Sequence, residues 1–250
     1  MIPALEISHV RKRFGDTIAV DDLSLRLEDG AFLGLLGRNG AGKTTTINMA
    51  TGLIDPTSGR ISVLGIDVAR DPIAVKRRIG VMPQEESILD SLTGREYLRF
   101  VGSIHGLGKA EIDRRIDELF DVLDLEAPPG AQVREYSYGM KKKIGLGAAL
   151  IHGPRVLFLD EPFEGIDPLT ARTIRTLLLG LREKGTTIVM SSHVLDIVEK
   201  ICNPVAIIDR GKLVGFGTVE ELRGDHGDAS LDDLFVSLMG GAREGDLSWL

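Results

Sequence analysis

Residues 5–10, Leu5-Glu6-Ile7-Ser8-His9-Val10, alternate apolar with polar side chains, and Leu23-Ser24-Leu25-Arg26-Leu27 does so again. Period-two alternation bounded by Gly or Asp turn signals predicts two half-buried strands. Phe32-Leu33-Gly34-Leu35-Leu36 is instead continuously apolar, as a strand covered on both faces should be. A glycine-rich stretch follows it and leads into Thr45-Thr46-Ile47-Asn48-Met49-Ala50, which predicts a strand, a tight turn and a helix ending near Gly52. Asp55-Pro56-Thr57-Ser58-Gly59 then reads as a turn into a strand over 61–64.

From about residue 85 to 152 the period becomes helical. Thr93-Gly94-Arg95-Glu96 has the form of a capping box opening a helix towards Ile104. Ile112, Ile116, Leu119 and Leu123 recur at helical spacing within 109–125, and Pro128-Pro129-Gly130 ends that segment. Strand and helix then alternate: a strand over 156–159, a helix over 169–184, a strand over 186–190, a helix over 194–201, and a strand over 205–209 with a hairpin partner at 212–216. After Arg223 the chain is polar and glycine-rich except for one amphipathic patch, 231–238. This order predicts an α/β core over 1–223, a helical subdomain inserted at about 85–152, and a short extension over 224–250.

The glycine-rich stretch is Gly37-Arg38-Asn39-Gly40-Ala41-Gly42-Lys43-Thr44, a complete G-x-x-x-x-G-K-[ST] sequence in its required strand-to-helix setting. Glycines 37, 40 and 42 are expected to let the backbone curl and aim successive N–H groups at phosphate oxygens, with a helix N-terminus behind them. Lys43 is expected to reach terminal phosphates as a mobile charge, and the Thr44 hydroxyl to hold Mg²⁺. The stretch therefore predicts nucleoside triphosphate binding. Phosphoryl transfer needs further acids, and Leu157-Phe158-Leu159-Asp160-Glu161 puts two at the C-terminal end of a buried strand, where an open α/β sheet places its ligands. Asp160 is the expected metal-side carboxylate and Glu161 the expected general base.

Composition narrows the partners. A net charge of −7 argues against a nucleic-acid surface as the main function. The single cysteine, Cys202, allows no internal disulfide and reads as a partly buried, inert thiol. No secretion leader is expected, and the most apolar stretch, 144–159, is interrupted by His152, Pro154 and Arg155 and is shorter than the roughly 20 residues a spanning helix needs. The expectation is a cytoplasmic protein whose membrane role, if any, comes through a partner. The run Lys141-Lys142-Lys143 reads as a solvated face.

The remaining polar residues fall in one fixed order, and through them the chain resembles the ATP-binding subunit of ABC transporters over roughly 5–217, with exporter-type subunits the nearest in form. Phe14, in Arg13-Phe14-Gly15, falls where that family stacks an aromatic ring on adenine. Gln84 matches the glutamine that touches Mg²⁺ and water at the junction with the helical lobe. Tyr136-Ser137-Tyr138-Gly139-Met140 occupies the place of the Leu-Ser-Gly-Gly-Gln signature, with Tyr138 for the first glycine and Met140 for the glutamine. Gly165-Ile166-Asp167 matches the D-loop, and Ser191-Ser192-His193 the switch histidine that contacts the γ-phosphate.

The resemblance implies a P-loop NTPase core with a mostly parallel sheet, an N-terminal antiparallel β subdomain and an inserted helical subdomain. It implies ATP and Mg²⁺ as ligands. ATP would lie against Phe14, Gly37, Arg38, Asn39, Gly40, Ala41, Gly42, Lys43, Thr44 and Thr45, with Thr44, Gln84 and Asp160 towards the metal. Glu161, Gln84 and His193 would act on the γ-phosphate, and Ser137, Tyr138, Gly139 and Met140 would cover the nucleotide of a second, identical or related, subunit beside Asp167. A permease at the inner face of the cell membrane completes the implied assembly. The alternatives are a soluble ABC-type ATPase acting on ribosomes or DNA, disfavoured by one phosphate loop and no heptad stretch, and a P-loop kinase or GTPase, disfavoured by the lack of an Asn-Lys-x-Asp sequence.

Overall fold

The computed structural model of the chain describes residues 2–84, 89–224 and 230–238. The continuous apolar runs become the middle of a six-stranded sheet. Its strands are β3 (Phe32–Leu36), β6 (Ile79–Met82), β7 (Val156–Asp160), β8 (Thr187–Ser192), β9 (Val205–Asp209) and β10 (Lys212–Gly217), in the order β10-β9-β3-β8-β7-β6. All neighbours are parallel except the β9–β10 hairpin. Both faces are buried, which explains the runs: Leu157 and Leu159 enter one apolar cluster, while Val156 and Phe158 enter another on the opposite face.

The second cluster is closed by an antiparallel sheet, β2-β1-β4-β5, made of β1 (Leu5–Phe14), β2 (Thr17–Leu27), β4 (Ser58–Val63) and β5 (Ile66–Asp67), together with α1 (Lys43–Ala50). β1 and β2 are longer than the alternation suggested. Register shifts along their pairing break the period, and His9 and Asp22 both take left-handed backbone. A bulge flips the inward set to the other face, so alternation was readable only on one side of it.

The first cluster is covered by α3 (Gly94–Ile104), α4 (Lys109–Val122), α5 (Tyr138–Leu150), α6 (Pro168–Glu183) and α7 (Leu195–Ile201). α3 opens on the expected capping box, with Thr93 and Glu96 exchanging hydrogen bonds. Residues 85–88, where the helical block was expected to begin, lie outside the described residues, as do 225–229 and 239–250 of the extension. Its amphipathic patch forms α9 (Leu231–Leu238), which packs on α7 and on α8 (Val219–Arg223), with Leu231 and Leu234 buried. β5, β6, α8 and α2 (Pro72–Lys76) had no counterpart among the elements expected from the sequence.

Two expectations are corrected. The lysine run is not a solvated face: Lys142 is 1% exposed and Lys143 8%. Both lie on the side of α5 that packs inward, where Lys143 Nζ donates to the Asp124 carbonyl at 2.7 Å. Cys202 is fully rather than partly buried, and burial pushes its thiol pKa up, so it is inert.

Candidate functional site

The phosphate loop joins the end of β3 to the start of α1. Gly40 and Gly42 take positive φ, as the curl requires. Gly37 does not; a Cβ there would stand 2.5 Å from the Ile208 carbonyl oxygen, so its place is fixed by the close approach of β9 and not by chain reversal. Lys43 is also not the mobile charge expected. It is 6% exposed, donates to the Gly37 carbonyl at 2.8 Å and the Arg38 carbonyl at 3.4 Å, and its Nζ lies 3.3 Å from Glu161 Oε1.

The loop, Gln84 and Glu161 line one cleft of about 310 Å³, with Lys43, Thr44 and Thr45 on its floor side. Register supports Glu161 from behind: β7 and β8 pair Asp160 with Ser191, and the Ser191 hydroxyl donates to Asp160 Oδ1 while accepting the Glu161 N–H at 2.9 Å. Glu161 is 5% exposed and has φ 50°, a left-handed backbone costly for a residue with a side chain. Its Oε2 accepts the His193 N–H at 3.3 Å and lies 3.0 Å from His193 Nδ1. Among the described residues its Oε1 has no hydrogen-bond partner, and the Lys43 charge stands at ion-pair distance from it. Gln84 is exposed and donates to Glu164 Oε2 at 3.1 Å.

The expected site residues thus fall in three places. Lys43, Thr44, Thr45, Gln84, Asp160, Glu161 and His193 converge on or just behind the cleft. Phe14 stands half exposed at the end of β1 with Lys12 Nζ 4.9 Å from its ring centroid, and it is not among the residues lining the cleft. Ser137, Tyr138, Gly139 and Met140 form the first turn of α5, away from the cleft. Ser137 caps the helix, its Oγ accepting the Met140 N–H at 3.2 Å. This turn lies against the start of α6: a Cβ on Gly139 would stand 3.3 Å from Thr170 Oγ1, and one on Gly165 2.9 Å from the Tyr138 ring. Asp167 caps α6, accepting from Leu169 N and Thr170 N, and the Thr170 hydroxyl bonded to it holds its carboxyl below the usual range.

Three residues that sequence reasoning gave no role are Ser191, Glu164 and Lys142. Ser191 could have been suspected as a hydroxyl at the end of a buried strand; the other two carry no local signal. Among the described residues no group of three or more His, Cys, Asp or Glu side chains could hold a metal ion by itself. Thr44 hydroxyl, Gln84 amide and Asp160 carboxylate are nonetheless hard oxygen donors beside a polyphosphate cradle, which suits Mg²⁺, an ion that keeps waters and phosphate oxygens as ligands.

The ABC transporter family matches residues 20–164, more than half of the chain. The linearmycin resistance ATP-binding protein LnrL of Bacillus subtilis is 36% identical over 233 residues, 93% of this chain and 75% of the relative. The daunorubicin resistance ATP-binding protein DrrA3 of Streptomyces coeruleorubidus is 37% identical over 92% of this chain and 72% of its own. Among solved structures, an ATP-binding subunit of an ABC transporter superposes with a TM-score of 0.88 at 32% identity, covering 94% of this chain and 99% of that one.

Proposed function

The chain belongs to the ABC transporter family, and from that premise we propose that it is one of two ATP-hydrolysing subunits that power a membrane exporter. The observation that carries the reading is the convergence of the Lys43 loop, Gln84 and Glu161 on one cleft. ATP phosphates lie in the ring of loop N–H groups, with Lys43 against the terminal phosphates. Thr44, Gln84 and Asp160 would hold Mg²⁺, which would supply positive charge against the phosphates. Glu161 takes the proton from the attacking water through Oε1, its one oxygen without a hydrogen bond, while His193 fixes the other.

The signature turn supports a pair of subunits. Its helix N-terminus is an anion site, yet it does not line the cleft of its own chain. It serves the nucleotide of a second copy or a related chain, and ATP becomes part of the interface. Hydrolysis removes the shared γ-phosphate and with it the preference for the closed pair.

Among the described residues no helix is long and apolar enough to cross a membrane. A groove of about 810 Å³ between β6, α3 and the end of α5, with Leu53, Ile73 and Ile104 exposed beside it, suits a short apolar segment of a permease at the inner face of the membrane. Export is favoured by the likeness to subunits named for drug resistance. The same relatives leave little support for an ATPase working on ribosomes or DNA. Titration of the purified protein with ATP and Mg²⁺ in a calorimeter should give saturable binding; an absence of heat would overturn the reading.

A further inference from the structure

Lys142 is among the largest fully buried side chains of the protein. An ammonium carries three donors, and among the described residues it finds one acceptor, the Gln84 carbonyl at 3.4 Å. Its Nζ also lies 5.5 Å from the centroid of the Tyr138 ring, one turn earlier on α5. Tyr138 in turn packs on Gly165, just before the cap of α6. A methionine would fill the same volume without taking a charge out of water, so the ammonium makes sense as a fastening and not as packing.

We propose that Lys142 is a positioning residue that ties Gln84, at the mouth of the chain's own phosphate cleft, to the signature turn offered to the partner's nucleotide. The fastening adds a charged link between two parts that also meet through the Gln84 amide on Glu164, next to the Gly165 under the Tyr138 ring. A shift of the Gln84 backbone moves the carbonyl that Lys142 holds. The ammonium carries the start of α5 and the Tyr138 ring with it. Tyr138 replaces a glycine in the signature, and the cation beneath its ring fixes where that added bulk stands. Lys142 itself is 1% exposed and is not among the residues lining the cleft.

The proposal rests on the reading that ATP binds the Lys43 loop, and calorimetry on the wild-type protein tests that reading separately. For the fastening, Lys142→Met should leave the ATP dissociation constant within about twofold of wild type and lower kcat about tenfold, with Lys142→Arg recovering most of the loss. A kcat unchanged in Lys142→Met overturns the proposal. So does a joint loss of ATP affinity, turnover and melting temperature that is equal in Lys142→Met and Lys142→Arg, since that is the pattern of simple packing. If Lys142→Met does not fold, hydrogen exchange of the wild type decides, at a dilution where sedimentation finds single protomers. A non-hydrolysable ATP analogue should protect the amides of Met82 and Gln84 and those of 139–143 together; protection confined to Met82 and Gln84 overturns the link.

Discussion

Glu161 is held in a conformation that most side chains avoid, and that is what aims it. Its φ of 50° is stabilised by the Ser191 hydroxyl, which accepts its N–H and donates to Asp160 in the same stroke. Glu161→Gln keeps the shape of the carboxylate and removes its basicity. It should preserve ATP binding and lower turnover by about 10²–10⁴, read from steady-state phosphate release. Ser191→Ala leaves a buried N–H and a buried carboxylate each short of a partner, so unfolding in urea should show a loss of about 1–3 kcal/mol, together with slower turnover. The place of the two acids was legible, because an Asp-Glu pair closes an apolar run that becomes the buried strand β7 beside the phosphate loop. The role of Ser191 was not, because it depends on Asp160 and Ser191 being in register across two strands 31 residues apart. Lys43 and Gly37 were read correctly as residues of the loop and incorrectly in posture, since burial and the approach of β9 are properties of the folded neighbourhood.

The element on which the site depends most is α5, which lies directly on the edge strand β6 and so links the cleft to the signature. A Cβ on Gly80 would stand 2.1 Å from the Ala149 carbonyl oxygen, a backbone atom that cannot swing aside. Gly80→Ala should therefore be among the most damaging single-methyl additions in the chain, with a thermal midpoint several degrees lower, corresponding to about 1–3 kcal/mol. Beyond the end of α5, His152 Nε2 bonds the Ile79 carbonyl at 2.9 Å while its ring stacks on His105 at 3.7 Å. Burial pushes the His152 pKa down to about 4, and His105 is lowered by burial as well. The unfolded chain takes up a proton near the ordinary histidine value of about 6.5, where the folded ring refuses it until about 4. Stability should thus fall as pH drops from 6.5 towards 4, and His152→Gln should flatten that part of the urea-midpoint profile. Most elements were legible where they were long and regular: α3 by its capping box, α4 by its apolar spacing, β3 and β7 by their unbroken runs. α5 was obscured because its inward face carries Lys142 and Lys143, which look like solvent residues to any pattern of hydrophobicity. α2 and β5, at five and two residues, are too short to show a period at all.

At the scale of the whole molecule, the catalytic cleft and the signature turn are separate places on one chain, so a single protomer cannot close both around the same nucleotide. Two subunits paired as proposed could, and where both are this chain the net charge of −7 on each opposes their association unless a ligand is bound between them. In the proposed pair ATP adds further negative charge, but it would meet Lys43 of one subunit and the N-terminus of α5 of the other, and so would convert a repelling pair into a bridged one. The slow-hydrolysing Glu161→Gln protein should accordingly sediment as a dimer with ATP and Mg²⁺ and as a protomer with ADP. Ser137 gives this a sharper form, because it has two duties that one substitution separates. Aspartate caps a helix as well as serine does, so Ser137→Asp should leave α5 capped and the melting temperature near that of the parent. Its carboxylate would nonetheless stand where the partner's γ-phosphate must come, and like charges at that range repel. In the Glu161→Gln background, Ser137→Asp should therefore abolish the ATP-dependent dimer while the calorimetric affinity of each protomer for ATP stays unchanged. A dimer that survives this substitution would mean that the signature turn does not face the shared nucleotide, and the pairing of subunits would have to be drawn through another surface.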